Sequence, residues 1–269
     1  MNALDKILAE VAQGEVNFPT HADVAFRVRL ALDDPDIHLV RAAQIVQAEP
    51  LLAARVVAVA NSIAFNPTNH AVADVRTAVT RLGIRFVRAL ATAVVMRQMA
   101  AGGRSAAHRA LAERLWEHTA HVAALAHLLA RQFLKGVSDV AMFAGIVHEV
   151  GGFYLISRTE GDPELLHNPA LVTPEAEATI GRAVLAALAV PAEVVVAVES
   201  VWAKRAPALP PANLGDLLCL ANGLTPILSP LQGPDSPSLM FEPGGSEIFA
   251  EILEQSGEEM GALTSALRY

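Results

Sequence analysis

The feature that most constrains this chain is a hydrophobic period of about 3.6 residues, sustained nearly from end to end with almost no two-residue alternation. Alanine and leucine, both strong helix formers, dominate the apolar positions. The pattern predicts an all-α protein. Hydrophobic residues make up 53% of the 269 and charged residues 18%, enough apolar surface for one large domain or two small ones.

Proline, glycine and polar clusters cut the pattern into helices. The first is predicted over about Leu4 to Ala12, with Leu4, Ile7, Leu8 and Val11 on one face. Thr20 is placed to cap a second that carries Val24, Val28 and Leu32. A third covers Leu39 to Gln47. Pro50 suits the first turn of a fourth, which runs through Val59. Residues 61–70 read as a loop because Asn66-Pro67 cannot sit inside a helix. Asp74 can cap Val75 to Leu82, Gly83 ends that helix, and Ile84 to Met99 follows. Gly102-Gly103 marks the best boundary between two lobes, 1–103 and 104–269. Beyond it come a long helix over about 107–135 and an apolar helix from Ser138 or Asp139 to about Ser157. Three more cover about 174–188, 192–204 and 212–227. The stretch Ser229 to Gly245 holds four prolines and three glycines and reads as a surface loop before a last helical pair.

Composition narrows the function. A net charge of -8 disfavours non-specific binding to nucleic acid or to an anionic membrane. Aromatics, at 5%, are too scarce for a base-stacking platform. Cys219 is the only cysteine, which fits a reducing compartment. No apolar run approaches the roughly 18 residues of a membrane span, and the N-terminus has no signal-peptide pattern. A cytoplasmic location is expected. Phosphate-cradling glycine loops, zinc-type cysteine pairs and nucleophilic triads are all missing from the sequence.

Two constellations carry chemistry. The first is EPLLAARVVAVANSIAF followed by TAVTRLGIRFVRAL. Asn61-Ser62 closes an apolar helix where its last carbonyls need partners, and Gly83 permits a sharp turn between packed helices. Read alone, these residues shape the fold. The segment from Phe18 to Met99 also resembles the amino-terminal half of the HDOD (HD-related output domain) family. There an acid-proline pair opens a leucine-rich helix that ends in Asn-Ser, before an alanine-rich helix with Leu-Gly. Asn61, Ser62, Ala78, Leu82 and Gly83 match as they stand, and Glu49 replaces the aspartate before Pro50.

The second constellation is LWEHTAHVAALAHLLA followed by AMFAGIVHEVGGFYLI. His118 and His121 share a helix face. His148-Glu149 is expected near the middle of an apolar helix. A histidine beside an acid within apolar walls suits a divalent ion that acidifies a bound water, and equally suits a satisfied buried pair that fixes packing. A small anionic ligand in place of the metal is a third reading. His121 and His127 read as ordinary helix residues.

This half resembles the core of the HD phosphohydrolases, with His118 and His148 at two histidine positions. The resemblance also implies erosion of the metal site. Glu149 stands where the paired aspartate would be, Glu177 and Glu199 stand where catalytic relatives place histidines, and Asn222 stands for the final aspartate. Asparagine is a poorer ligand than a carboxylate for a hard cation. The expectation is therefore a two-lobed helical bundle, an HDOD lobe followed by a degenerate HD-like lobe. It would act as a non-catalytic regulatory module of bacterial signal transduction, with no cofactor and with separate signalling proteins as partners. The alternative is a divergent phosphohydrolase of nucleotides or phosphodiesters holding Mg2+ or Mn2+ on His118, His148 and Glu149.

Charge adds one feature. Seven arginines and no Asp, Glu or Lys fall between Val75 and Ala112. Arg81, Arg85 and Arg88 share a face if the helix runs through Gly83, and Arg85 and Arg88 stay close if it does not. They read either as a solvated face paired with acids elsewhere or as a docking surface for an acidic domain or nucleotide.

Overall fold

The computed structural model describes residues 3–18, 22–101, 105–159, 173–231, 252, 254 and 257–268. It is helical throughout, with no strand among the described residues. In chain order the helices are α1 (Ala3–Ala12), α2 (Asp23–Ala31), α3 (Leu39–Gln47), α4 (Pro50–Ala60), α5 (Val75–Leu82), α6 (Ile84–Ala101) and α7 (Ala106–Phe133). There follow α8 (Ser138–Val147), α9 (Val150–Arg158), α10 (Pro174–Ala187), α11 (Ala192–Trp202), α12 (Leu214–Leu224) and α13 (Gly257–Arg268). Thr20 and Gly102-Gly103 lie outside the described residues, as does most of the stretch after Ser229.

Helix ends fall where local chemistry satisfies the orphan backbone groups. Glu49, Asp74, Ser105, Thr173 and Asn213 each accept a bond from a first-turn N–H of the helix they precede. Gly83 (φ 79°) and Gly136 (φ 87°) end α5 and α7 in the left-handed region that glycine enters without steric cost.

One continuous core runs through the described helices. Helix α6 is its spine, burying Phe86, Leu90, Met96 and Met99 and packing on α2, α8 and α9. Helices α7 and α8 approach closely because Gly145 has no side chain: a Cβ there would lie 2.5 Å from Ala123 Cα. Arg29 ties distant elements together. Its Nε donates to Thr92 Oγ1 at 2.7 Å, its Nη2 to the Leu188 carbonyl at 3.0 Å, and its Nη1 pairs with Asp33.

Two expectations are corrected. The apolar helix predicted from Ser138 to Ser157 is two helices, α8 and α9, with His148 as the C-cap of one and Glu149 as the N-cap of the next. The imidazole Nδ1 bonds back to the Gly145 carbonyl at 2.7 Å, drawing an acceptor away from the regular helical ladder. The same stretch, Ser138–Arg158, does have the length and hydropathy of a membrane span, contrary to the expectation that no run would. However, 83% of its most apolar window is buried inside the protein.

Candidate functional site

The loop after α4 shows what the first constellation does. Asn61 pairs in both directions with the backbone of Val72: Nδ2 donates to the carbonyl at 2.8 Å, and Oδ1 accepts from the N–H at 2.7 Å. Ser62 Oγ donates to the Val59 carbonyl, and the Glu49 carboxylate accepts from Leu52 N–H. Arg81 closes the loop by donating to the carbonyls of Ala60 and His70, both at 3.0 Å. Arg81 is thus engaged within the fold, which leaves Arg85 and Arg88, both on α6 beyond the Gly83 break, as the pair that stays close. Arg85 is exposed and acts electrostatically on Asp139 of α8. Arg88 is half-buried, with its Nε unpartnered.

The second constellation converges on one point where α7, the α8–α9 junction, α10 and the end of α12 meet. His118, His148 and Glu149 bring one ligand atom each within 4.8 Å of one another, and all three side chains are buried. His118 Nδ1 lies 2.6 Å from the Ile227 carbonyl, and His148 Nδ1 lies 2.7 Å from that of Gly145. A carbonyl only accepts, so each Nδ1 carries the proton. Both Nε2 atoms are then acceptors in the neutral rings, and they face each other at 3.2 Å. Burial keeps both rings neutral. It lowers the His118 pKa, and it pushes His148 down to about 3, with His118 as the second cause.

The acids beside them are also shifted toward their neutral forms. Burial raises the pKa of Glu149 and of Glu177, and the two carboxyls, which lie against each other, raise Glu177 further. Ser229 also flanks Glu149. Asn222 stands beside both imidazoles, and its Oδ1 is buried without a hydrogen-bond partner, as is Glu149 Oε2.

These donors fit a divalent cation. Two imidazoles on one ion at about 2.0–2.1 Å, with ligand angles near 90–110°, place their nitrogens roughly 2.8–3.4 Å apart. Glu149 Oε1 stands 3.7 Å and 4.0 Å from the two Nε2 atoms. Two opposed lone pairs and two orphaned buried oxygens are what a cation would satisfy.

Glu199 is not in this group. It forms an ion pair with Arg182 at 2.6 Å, on a part of the surface where both side chains are exposed. His121 lies on the rim of α7, whereas His127 is buried against Phe65. The start of the stretch read as a surface loop turns inward: Ser229 is buried beside Glu149, and half-buried Leu231 packs against Gly152. Sequence reasoning missed this cover, the Ile227 carbonyl, and Trp202, whose Nε1 donates to the His148 carbonyl at 3.1 Å. Position-by-position signals for them do not exist in the sequence, since each acts from a distant element.

The HDOD domain family profile matches residues 18–202. The chain belongs to the HDOD domain family. Three solved structures share its fold. One is a candidate metal-dependent phosphohydrolase from Shewanella amazonensis SB2B: 20% identity, 99% of this chain and 100% of that one covered, TM-score 0.69. Another is an HDOD domain protein of unknown function from Geobacter sulfurreducens: 19% identity, 97% of each chain covered, TM-score 0.63. A third is a candidate signal transduction protein from Marinobacter aquaeolei VT8: 19% identity, 99% of this chain and 66% of that one covered, TM-score 0.60. No curated protein matches the chain.

Proposed function

We propose that this HDOD protein is a non-catalytic regulatory module of signal transduction that acts by binding other proteins. The observation that carries the reading is enclosure. The HD-type side chains His118, His148 and Glu149 are all buried, Ser229 packs beside Glu149 and Leu231 against the neighbouring Gly152, and the Glu149–Glu177 carboxyl pair and an amide at Asn222 complete the group. A hydrolase needs its metal-bound water to reach a substrate; a packed interior instead couples the helices that meet there. The partner surface would include Arg85 and Arg88, whose field favours an acidic domain. The test is a panel of phosphatase and phosphodiesterase substrates in Mn2+, with metal content measured on the purified protein. No turnover is expected. Turnover that His148→Ala abolishes, together with stoichiometric metal, would overturn the reading.

The opposed Nε2 atoms favour a second reading, a divergent metal-dependent phosphohydrolase. His118, His148 and Glu149 would hold Mg2+ or Mn2+, with Glu177 and Asn222 beside them. The ion would supply an acidified water. The Nδ1 bonds to Ile227 and Gly145 already hold both rings with Nε2 facing inward. The same panel separates the two readings.

A further inference from the structure

A second polar group, distinct from the histidine cluster, lies where α13 docks on α4 and α7. Two donors converge on the Leu267 carbonyl: Trp116 Nε1 at 3.0 Å and Arg55 Nη1 in close contact. Arg55 is only 4% exposed and Trp116 6%. Arg97 of α6 stacks over the Trp116 ring, 5.9 Å from its centroid. Arg55 Nε and Arg97 Nη1 are both buried without a hydrogen-bond partner. Among the described residues no carboxylate pairs with either guanidinium, and Glu113 acts on Arg97 only through its field. Burial, and after it repulsion by Arg97, lowers the Arg55 pKa to about 10.

Among the described residues, the buried Arg55 guanidinium is answered by one neutral carbonyl, and the half-buried Arg97 guanidinium stands beside it over the Trp116 ring, so the group forms an incomplete site. A carbonyl offers two lone pairs and a partial charge. A tetrahedral oxyanion offers full charge and several oxygens, matches the guanidinium fork, and forms hydrogen bonds about twice as strong as neutral ones. The Leu267 carbonyl occupies the point where such an oxygen would sit. Upstream of its last turn, helix α13 is held by buried Leu263 and Thr264 and by the Arg131–Glu259 pair, and the last turn is held by the buried Leu267 side chain, so displacing the Leu267 carbonyl would loosen that turn while the rest stays docked. We propose that Arg55, Arg97 and the Trp116 indole N–H form a binding site for a phosphate-class oxyanion, taken up in place of the Leu267 carbonyl, and that uptake loosens the last turn of α13.

Trp116 reports on the site directly. The chain has two tryptophans, so Trp202→Phe in the full-length chain leaves Trp116 as the sole indole emitter. Sodium phosphate would be titrated against sodium chloride of matched ionic strength, following Trp116 emission and amide exchange over residues 257–268. The expected result is a saturable response to phosphate alone, faster exchange in the last turn of α13, and binding roughly tenfold or more weaker in Arg97→Gln. Arg97 is half-buried, so this variant should fold even if Arg55→Gln does not. Phenyl phosphate in a parallel titration distinguishes the sources: binding extends the site to phosphoryl groups on larger molecules, and exclusion restricts it to the free ion. The proposal is overturned by an unsaturating response that chloride reproduces, by binding unchanged in Arg97→Gln, or by phosphate binding without altered exchange in α13.

Discussion

Asn222→Asp should invert the response of the histidine cluster to divalent metal. The Asn222 amide stands beside both imidazoles with Oδ1 buried and unpartnered, and aspartate has the same shape, so the substitution changes charge without repacking. In protein stripped of metal the new carboxyl is a third acid in a space where burial already raises the pKa of Glu149 and Glu177. It must either ionise against that environment or protonate, at a cost of about 1–3 kcal/mol. With a cation present the sign reverses, because a carboxylate is the better ligand for a hard ion. If the variant binds Mn2+ so that free ion stands ~100-fold above Kd, linkage adds about 2.7 kcal/mol. For a chain of this size that is a rise in Tm of roughly 5–10 °C. The assay is thermal unfolding of parent and variant in EDTA and in Mn2+. A variant as stable as the parent in EDTA, and no more responsive to Mn2+, would refute the assignment of Asn222 to the cluster.

Three further predictions test the frame around the site. Arg29→Met should lose about 3–5 kcal/mol by urea unfolding, since it leaves Thr92, the Leu188 carbonyl and Asp33 without their shared partner; a loss below about 1 kcal/mol would show that the tether contributes little. Gly145→Ala should separate α7 from α8 and cost about 1–3 kcal/mol, because the new Cβ meets backbone 2.5 Å away; a Tm equal to the parent's counts against that contact. His127 is held down to about 4, chiefly by burial, whereas an unfolded histidine protonates near 6.5. Between those values the unfolded chain binds the extra proton, so stability falls as pH drops from about 6.5 to about 4, by up to about 3 kcal/mol. His127→Phe should remove that part of the acid loss, and identical urea midpoint shifts from pH 7 to pH 4 in both proteins would disprove it.

Legibility of the fold followed the range of the forces involved. Helix ends are set within four residues, and the Asp74 cap and the glycine stops at Gly83 and Gly136 are read from the chain, whereas the caps at Glu49 and Ser105 come from the structure. The membership of His118, His148, Glu149, Glu177 and Asn222 in one cluster was legible through their spacing and family resemblance, not through any local rule. Glu199 shows the limit of that approach. It sits on the turn of α11 that faces Arg182, and no periodicity of its own helix distinguishes that orientation from the inward one. The α8–α9 break shows a second limit. The apolar run from Ser138 to Arg158 is uninterrupted by proline, and its pair of glycines follows His148-Glu149, so propensity alone continues the helix. What ends it is a side chain bonding back to its own helix, at Gly145, while the same residue's carbonyl is taken by Trp202 from α11. That break matters for function. An unbroken helix would carry His148 and Glu149 about 100° apart around its axis. The turn between α8 and α9 instead lets the imidazole and the carboxylate approach the same point, opposite His118. The departure from regular helix is therefore what assembles the cluster.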